Sequence, residues 1–415
     1  MHFLYDLVIG FYSLGLRILA PFHAKARLWV DGRKNIMRQI EQTVEKGCKP
    51  VWFHFASLGE FEQGRSIMEA MRKQYPTQKI LVTFFSPSGF EIRKNTNLAD
   101  YVFYLPVDTR RNARQFLTII EPKFAIFTKY EYWYHYFKEL KRMNIKLLMV
   151  STIFREEQLF FKWYGSFFRN ILKNVTFFFT QNMDSVHLLK AIHITNAGLA
   201  GDTRFDRVRE LSMQRKSIKE VEDFLRFTQD VLVAGSTWQP DEQLLSELLN
   251  KHFSFKMILA PHEIHDHHLE QILRLFPESI FFSKFSSYTE TEVNAARVLV
   301  IDNIGMLSTL YRYGTVAYIG GGFGVGIHNT LEAATYGIPV IFGPKYGKFQ
   351  EAIDLLEIGA GFCVDGFVKF DQVLVSLSDQ RRRTTAGNEA RNYVREKAGA
   401  TPIIMKYIST ERLLD

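Results

Sequence analysis

From Pro50 onward, short runs of β-branched and aromatic residues alternate with longer stretches whose apolar positions recur every three or four residues. The short runs predict strands at Val51–Phe55, Ile80–Phe85, Tyr101–Leu105, Phe124–Phe127, Lys146–Val150 and Thr176–Thr180. Between them the helical period predicts helices over Glu62–Gln74, Asn112–Ile120, Tyr134–Met143 and Leu159–Leu172. A charged, helix-like stretch, Arg207–Gln229, follows. The alternation then restarts, with strands at Val231–Gly235, Met257–Ala260, Val298–Ile301, Val316–Ile319 and Val340–Phe342. Strands separated by helices imply βαβ units and a parallel sheet, and the restart implies two doubly wound α/β domains. Ligands of such sheets sit beyond the carboxyl ends of the strands, so residues just after each strand are the first candidates for chemistry.

Ahead of this pattern, Phe3 to Phe22 form an apolar, aromatic run interrupted by Asp6 and Arg17, with no small-residue cleavage site behind it. A spanning helix needs about 20 apolar residues, and two charges make spanning costly. An interfacial or shallowly inserted helix suits the run better; the alternative is an amphipathic helix packed on the protein's own core. His23, Lys25, Arg27, Arg33, Lys34 and Arg38 follow as a basic skirt matched to anionic headgroups.

Over 415 residues, 47% apolar and 23% charged composition excludes a largely disordered chain and a polytopic membrane protein. The net charge of +8 favours an acidic partner, whether nucleic acid, an anionic membrane or a phosphorylated substrate. Cys48 and Cys363, the two cysteines, lie far apart without ligand spacing, so the sequence suggests neither a disulfide framework nor a zinc site and fits a reducing, cytoplasmic setting.

After the first strand, Ser57-Leu58-Gly59-Glu60 opens a helix. Gly59 is expected to permit a tight turn that sets Glu60 at the helix start. A carboxylate there could accept a proton from an attacking hydroxyl, although the local sequence alone reads more commonly as a capping acid. Glu131, after the fourth strand, sits among Tyr130, Tyr132 and Trp133, which form either an apolar platform or a packed helix start. In the second half, the strand at Val316–Ile319 feeds Gly320-Gly321-Gly322-Phe323-Gly324-Val325-Gly326 and then His328-Asn329-Thr330-Leu331-Glu332. A strand, a glycine loop and a helix start in this order predict backbone N–H groups facing a phosphate or carboxylate. Asn329 and Glu332 share a helix face, where the Glu332 carboxylate could accept from both ribose hydroxyls. Gly305 and Met306 follow another strand and could touch a base through backbone, or simply pack a loop. His262, His265, His267 and His268 lack a recognised metal-ligand spacing and read as loop or cleft-wall residues.

Taken together, Ser57-Leu58-Gly59-Glu60, Tyr130-Glu131-Tyr132-Trp133, Gln181-Asn182, Gly201-Asp202-Thr203-Arg204-Phe205-Asp206, Gly235-Ser236-Thr237, Gly320-Gly321 and His328-Asn329-Thr330-Leu331-Glu332 resemble the Kdo (3-deoxy-D-manno-octulosonic acid) transferases of lipopolysaccharide synthesis. The resemblance covers nearly the whole chain. It implies a GT-B glycosyltransferase of two Rossmann-like domains with a cleft between them, moving Kdo from CMP-Kdo to the lipid A precursor with inversion. It also implies Glu60, as base, and Glu131 as the catalytic residues. On the donor side it implies Asn329 and Glu332 as cytidine contacts, and Ser236, Pro261, His262, Gly305, Met306 and Gly321 as further nucleotide-site positions. Ser57, Gly59 and Arg204 fall on the acceptor side. No cofactor and no metal are expected, and neither is a nucleic-acid partner; the expected location is the cytoplasmic face of the inner membrane. The domains implied are a membrane-associating segment 1–35, an acceptor domain 36–205, a linker 206–228 and a CMP-sugar domain 229–415, whose last helix is a candidate to pack back on the acceptor domain. Three departures stand out: Lys129 where many members carry an acid, Trp238 for a usual histidine, and His262-Glu263 for an arginine-histidine pair. The last weakens a side-chain phosphate clamp, because histidine can be neutral where arginine cannot. The competing readings are a nucleotide-sugar epimerase of the same architecture and a non-catalytic lipid A-binding module.

Overall fold

The computed structural model describes residues 2–214, 217–252 and 254–415. The chain forms two units. The first takes residues up to Arg207 together with Ala398–Asp415, and the second is Val208–Lys397.

In the first unit seven parallel strands pair in the order β3-β2-β1-β4-β5-β6-β7. They are β1 (Val51–Phe55), β2 (Ile80–Phe84), β3 (Tyr101–Tyr104), β4 (Phe124–Thr128), β5 (Lys146–Thr152), β6 (Phe177–Thr180) and β7 (Ala197–Leu199). The near-continuous apolar runs follow from burial on both faces. Along β1, Val51, Phe53 and Phe55 point to one layer and Trp52 to the other. The first layer is completed by the C-terminal helix Ala400–Thr410, which contributes Ile404, Met405 and Ile408.

The second unit repeats the plan in the order β10-β11-β9-β8-β12-β13-β14. Its strands are β8 (Val231–Thr237), β9 (Lys256–Pro261), β10 (Ile280–Phe281), β11 (Val298–Val300), β12 (Val316–Ile319), β13 (Val340–Phe342) and β14 (Gly361–Cys363). In both sheets the strand order reverses beside the first strand, between β1 and β4 and between β8 and β12, which is where open α/β sheets bind ligands.

Two expectations change. The predicted helix over Leu159–Leu172 is a short turn, Leu159–Phe161, followed by a helix confined to Ser166–Leu172. Gly165 breaks it, because a Cβ there would lie 1.8 Å from the Leu159 carbonyl oxygen. The Arg169 guanidinium then donates to the carbonyls of Phe160, Lys162 and Trp163, holding the loop closed. The stretch 206–228, expected as a helix-like linker, does carry two helices, Thr203–Met213 and Lys219–Leu225, but from Val208 onward it is part of the second unit, and its second helix buries Val221 and Phe224.

The N-terminal run forms the helix His2–Leu19, which by length and composition could cross a membrane. One side lies against the first unit: the Tyr5 hydroxyl donates to Asp108, His135 pairs with Asp6 at 2.6 Å, and Tyr12 packs edge-on against Trp29. The opposite side leaves Phe3, Leu7, Phe11, Leu14 and Ile18 exposed. The packed side agrees with the reading of a helix lying on the protein's own core.

Candidate active site

At the first reversal point β1 ends in Ala56-Ser57, and the helix Leu58–Gln74 begins at once. Ser57 caps it in extended conformation, and Glu60 occupies its third position, half-buried, accepting a hydrogen bond from the Ser57 hydroxyl. A carboxylate in the first turn meets the positive end of the helix dipole. The turn does not require Gly59: its φ is not left-handed, and a Cβ would meet only Ser57 Oγ at 3.8 Å. What the glycine leaves is open space above the helix start.

Glu131 follows β4, beyond Lys129, whose φ of 53° is left-handed. Its Oε2 lies 3.0 Å from Nε2 of His54 and 2.8 Å from the donating indole nitrogen of Trp133. His54 is fully buried in β1, with its Nδ1 2.9 Å from Thr83 Oγ1, and that oxygen accepts from Trp52 Nε1. Tryptophan can only donate and a carboxylate can only accept, so the Trp52 N–H fills one lone pair of the Thr83 hydroxyl, and a proton on His54 Nε2 is directed at Glu131. His54 is missing from the sequence reading because a histidine within Trp-Phe-His-Phe looks like core. Arg204 turns onto its own loop, with Nε 2.9 Å from Asp202 Oδ2. Burial pushes the Asp202 carboxyl up, but the Arg204 guanidinium and the Lys129 charge outweigh that and hold it below its ordinary value.

At the second reversal point β8 bulges at Ser236, whose φ of 54° is left-handed for a non-glycine residue. Gly320, leaving β12, packs on that bulge so closely that a Cβ would stand 2.3 Å from the Ser236 carbonyl oxygen. The next glycine, Gly321, has φ 91° and donates its N–H to Asp241 at 2.9 Å. Asp241 is buried and also accepts from the Trp238 N–H and the Tyr318 hydroxyl. The amides of Gly320, Gly324, Gly326, Ile327 and His328 are likewise bonded within the chain. The expected role of this loop as a set of free N–H donors is therefore corrected at these positions: the chain's own carbonyls and the Asp241 carboxylate already occupy them. Gly321 is needed for its backbone conformation.

Around the loop stand three rings. His262, just after β9, stacks on Trp238 at 4.6 Å and on His328 at 4.4 Å, while Trp238 Nε1 donates to His328 Nε2 at 3.2 Å. Because the indole only donates, the proton of a neutral His328 sits on Nδ1. Burial lowers both imidazoles, and with His262 beside it His328 falls to about 4. Two of the three departures noted in the sequence, Trp238 and His262, thus form one aromatic cluster rather than a cationic clamp.

Asn329 and Glu332 are brought together, with Nδ2 3.1 Å from Oε1, and Asn329 Oδ1 accepts the Leu331 N–H at the start of the helix Leu331–Ala334. Pro261 is buried at the end of β9 in register with Thr237. Gly305, with φ 98° and open space where a Cβ would stand, leads into Met306 at the start of the helix Leu307–Leu310. Of the other histidines, His268 is committed to Glu242 at 2.9 Å and to the Glu263 carbonyl, and His265 caps the helix Asp266–Leu275.

Residues 30–207 match the family described as 3-Deoxy-D-manno-octulosonic-acid transferase (kdotransferase). The chain is 26% identical over 357 residues to the 3-deoxy-D-manno-octulosonic acid transferase of Aquifex aeolicus, covering 83% of this chain and 91% of that protein. It is 25% identical over 414 residues to the enzyme of the same name from Chlamydia trachomatis serovar A, covering 95% and 93%. In fold it is similar to the UDP-GlcNAc 2-epimerase of Neisseria meningitidis, with TM-score 0.61, 15% identity and coverage of 87% and 100%. It is also similar to MurG of Acinetobacter baumannii, with TM-score 0.54, 10% identity and coverage of 87% and 99%. The doubled α/β plan is that of the GT-B fold, and the chain is a glycosyltransferase similar to the Kdo transferases over most of its length.

Proposed function

We propose that this glycosyltransferase moves Kdo from CMP-Kdo to the lipid A precursor, lipid IVA, with inversion, at the cytoplasmic face of the inner membrane. The observation that carries the reading is Glu60: a half-buried carboxylate at the ligand-binding end of the first sheet, presented by the helix Leu58–Gln74 with open space over Gly59. In the proposed step an acceptor hydroxyl gives its proton to the Glu60 carboxylate as its oxygen bonds to the anomeric carbon, and the bond from that carbon to the CMP phosphate breaks. The step balances without a cofactor. Glu131, oriented by His54 and Trp133, is assigned to hold the acceptor. In the second unit Glu332, paired with Asn329, is assigned to the ribose hydroxyls, with Ser236, Pro261, Gly305 and Met306 around the nucleotide. The names of the relatives support Kdo as the transferred sugar. The exposed apolar side of the helix His2–Leu19 suits a membrane-embedded acceptor.

Incubation with CMP-Kdo and lipid IVA, followed by CMP release and product mass, tests the reaction. Glu60→Gln should cut turnover by about 10²-fold or more while CMP binding stays unchanged. Near-normal turnover of the folded variant would remove Glu60 from the role.

A further inference from the structure

Beside the N-terminal helix the first unit carries a cavity of about 760 Å³. Arg17, Arg33, Lys34, Arg38 and Arg111 line it, against one carboxylate, Glu41. A neighbouring cavity shares Glu41 and Arg111 and adds Arg110 and Arg114 from the helix Arg110–Ile120. Among the described residues, Arg17, Arg38, Arg110, Arg111 and Arg114 have no carboxylate within ion-pair distance. Arg33 is a fixed charge of another kind. Its guanidinium donates to the carbonyls of Leu105, Trp29 and Phe85 and lies 4.0 Å over the Trp29 ring, so it is held by neutral groups alone. The protein thus gathers guanidinium groups in a concave site and leaves their charge uncompensated, which is what planar, multidentate recognition of phosphate requires.

The surroundings select the phosphate. Arg17 belongs to the helix His2–Leu19 and sits between Leu14 and Ile18, which are 52% and 63% exposed, with Phe22 beyond at 87%. A nucleic acid or a soluble sugar phosphate would satisfy the arginines and leave this hydrocarbon in water. A phospholipid puts its phosphate and its acyl chains side by side, as the protein does arginine and leucine. We propose that this groove is a headgroup site for an anionic phospholipid of the bilayer, taking the phosphate between Arg38 and Arg111 with the acyl chains along Leu14 and Ile18. The inference rests on the membrane-facing reading of the N-terminal helix and adds to it a defined site with α-helical arginines from residues 110–114, well outside the basic skirt that follows the helix in sequence.

The test uses the full-length protein and flotation with two kinds of vesicle, phosphatidylcholine alone and phosphatidylcholine with phosphatidylglycerol. The wild type should prefer the anionic vesicles, and the Arg38→Gln/Arg111→Gln variant should lose about tenfold or more of that preference while its binding to phosphatidylcholine is unchanged. Arg381→Gln/Arg382→Gln, two exposed arginines of the other unit, should leave the preference intact. An equal loss in that control would mean diffuse charge attraction and overturn the site, as would an unchanged preference in the groove variant. A raised KM for lipid IVA in neutral detergent micelles would reassign the groove to the acceptor, and tighter binding to an oligonucleotide than to anionic vesicles would reassign it to nucleic acid; either overturns the proposal. Binding to anionic vesicles but not to phosphatidylcholine would sink the apolar attachment of the helix and leave the headgroup site standing, whereas binding to neither would end both.

Discussion

His54 and Glu131 face each other across the β1–β4 boundary, Nε2 to Oε2 at 3.0 Å, with the histidine wholly inside the protein. Removing the ring strips a buried donor from a carboxylate that is itself nearly buried. His54→Ala should therefore lower the stability of the first unit by about 1.5–3 kcal/mol, and His54→Gln, which keeps a donor, should recover part of it. Urea unfolding of the two variants measures this; equal losses would mean that packing, and not the hydrogen bond, sets the cost.

Trp238 and His328 give a pH prediction. The folded value of His328, about 4, lies below its ordinary 6.5, so the folded state binds fewer protons than the unfolded one. Its contribution to stability is full above the ordinary value and is lost as pH falls through about 4. Trp238→Phe removes the N–H that favours a neutral ring, so the His328 titration should move upward, towards its ordinary value. An NMR titration of the His328 ring reads this directly, and an unmoved midpoint would show that burial alone sets it.

Two glycines at the candidate site should respond in opposite ways to alanine. Gly321→Ala would place a Cβ 2.4 Å from the Gly326 carbonyl oxygen at a φ of 91°, and should destabilise the second unit by more than about 1 kcal/mol. Gly59→Ala is helical and meets an ordinary contact, so it should hold or raise stability by up to about 1 kcal/mol. Thermal melts separate the two. Any loss of turnover in a stable Gly59→Ala enzyme would then report the space its acceptor needs.

The N-terminal helix should be tested from its outer side. Deleting it would also remove Tyr5 and Asp6 and leave Asp108 and His135 without those partners. Replacing exposed Phe11 and Ile18 by Gln spares those bonds, so folding should be unchanged while retention on phosphatidylcholine vesicles falls by about tenfold or more. Full retention by the double variant would place the attachment elsewhere.

The major strands and the doubled plan are legible in the sequence because both faces of each central strand are buried, which writes continuous apolar runs. β7, β10 and β14 are not, since β10 has only two residues and the three-residue β7 and β14 each contain a glycine. Glu60, Asn329 and Glu332 lie just after strands and are found by position. The His54 network is invisible because its members are scattered over separate strands and a loop, and only the sheet register brings Thr83 beside His54. The glycine loop misleads for a related reason. Glycine content announces a tight path, but it cannot show that Asp241, eighty residues earlier, already fills the Gly321 amide.

The return of residues 398–415 to the first unit makes the second unit an insertion, entered at Val208 and left at Lys397. Dissection must respect both crossings. A fragment running from 229 to the end would carry the helix Ala400–Thr410 with Ile404 and Ile408 stripped of their cover, and the remaining N-terminal fragment would lose the Tyr407 ring from Phe177 and Phe179. Excising 208–397 and splicing the flanking ends with a short flexible linker would keep the first core whole. Limited proteolysis should obey the same logic, since one nick near either crossing leaves two polypeptides held together by the buried C-terminal helix.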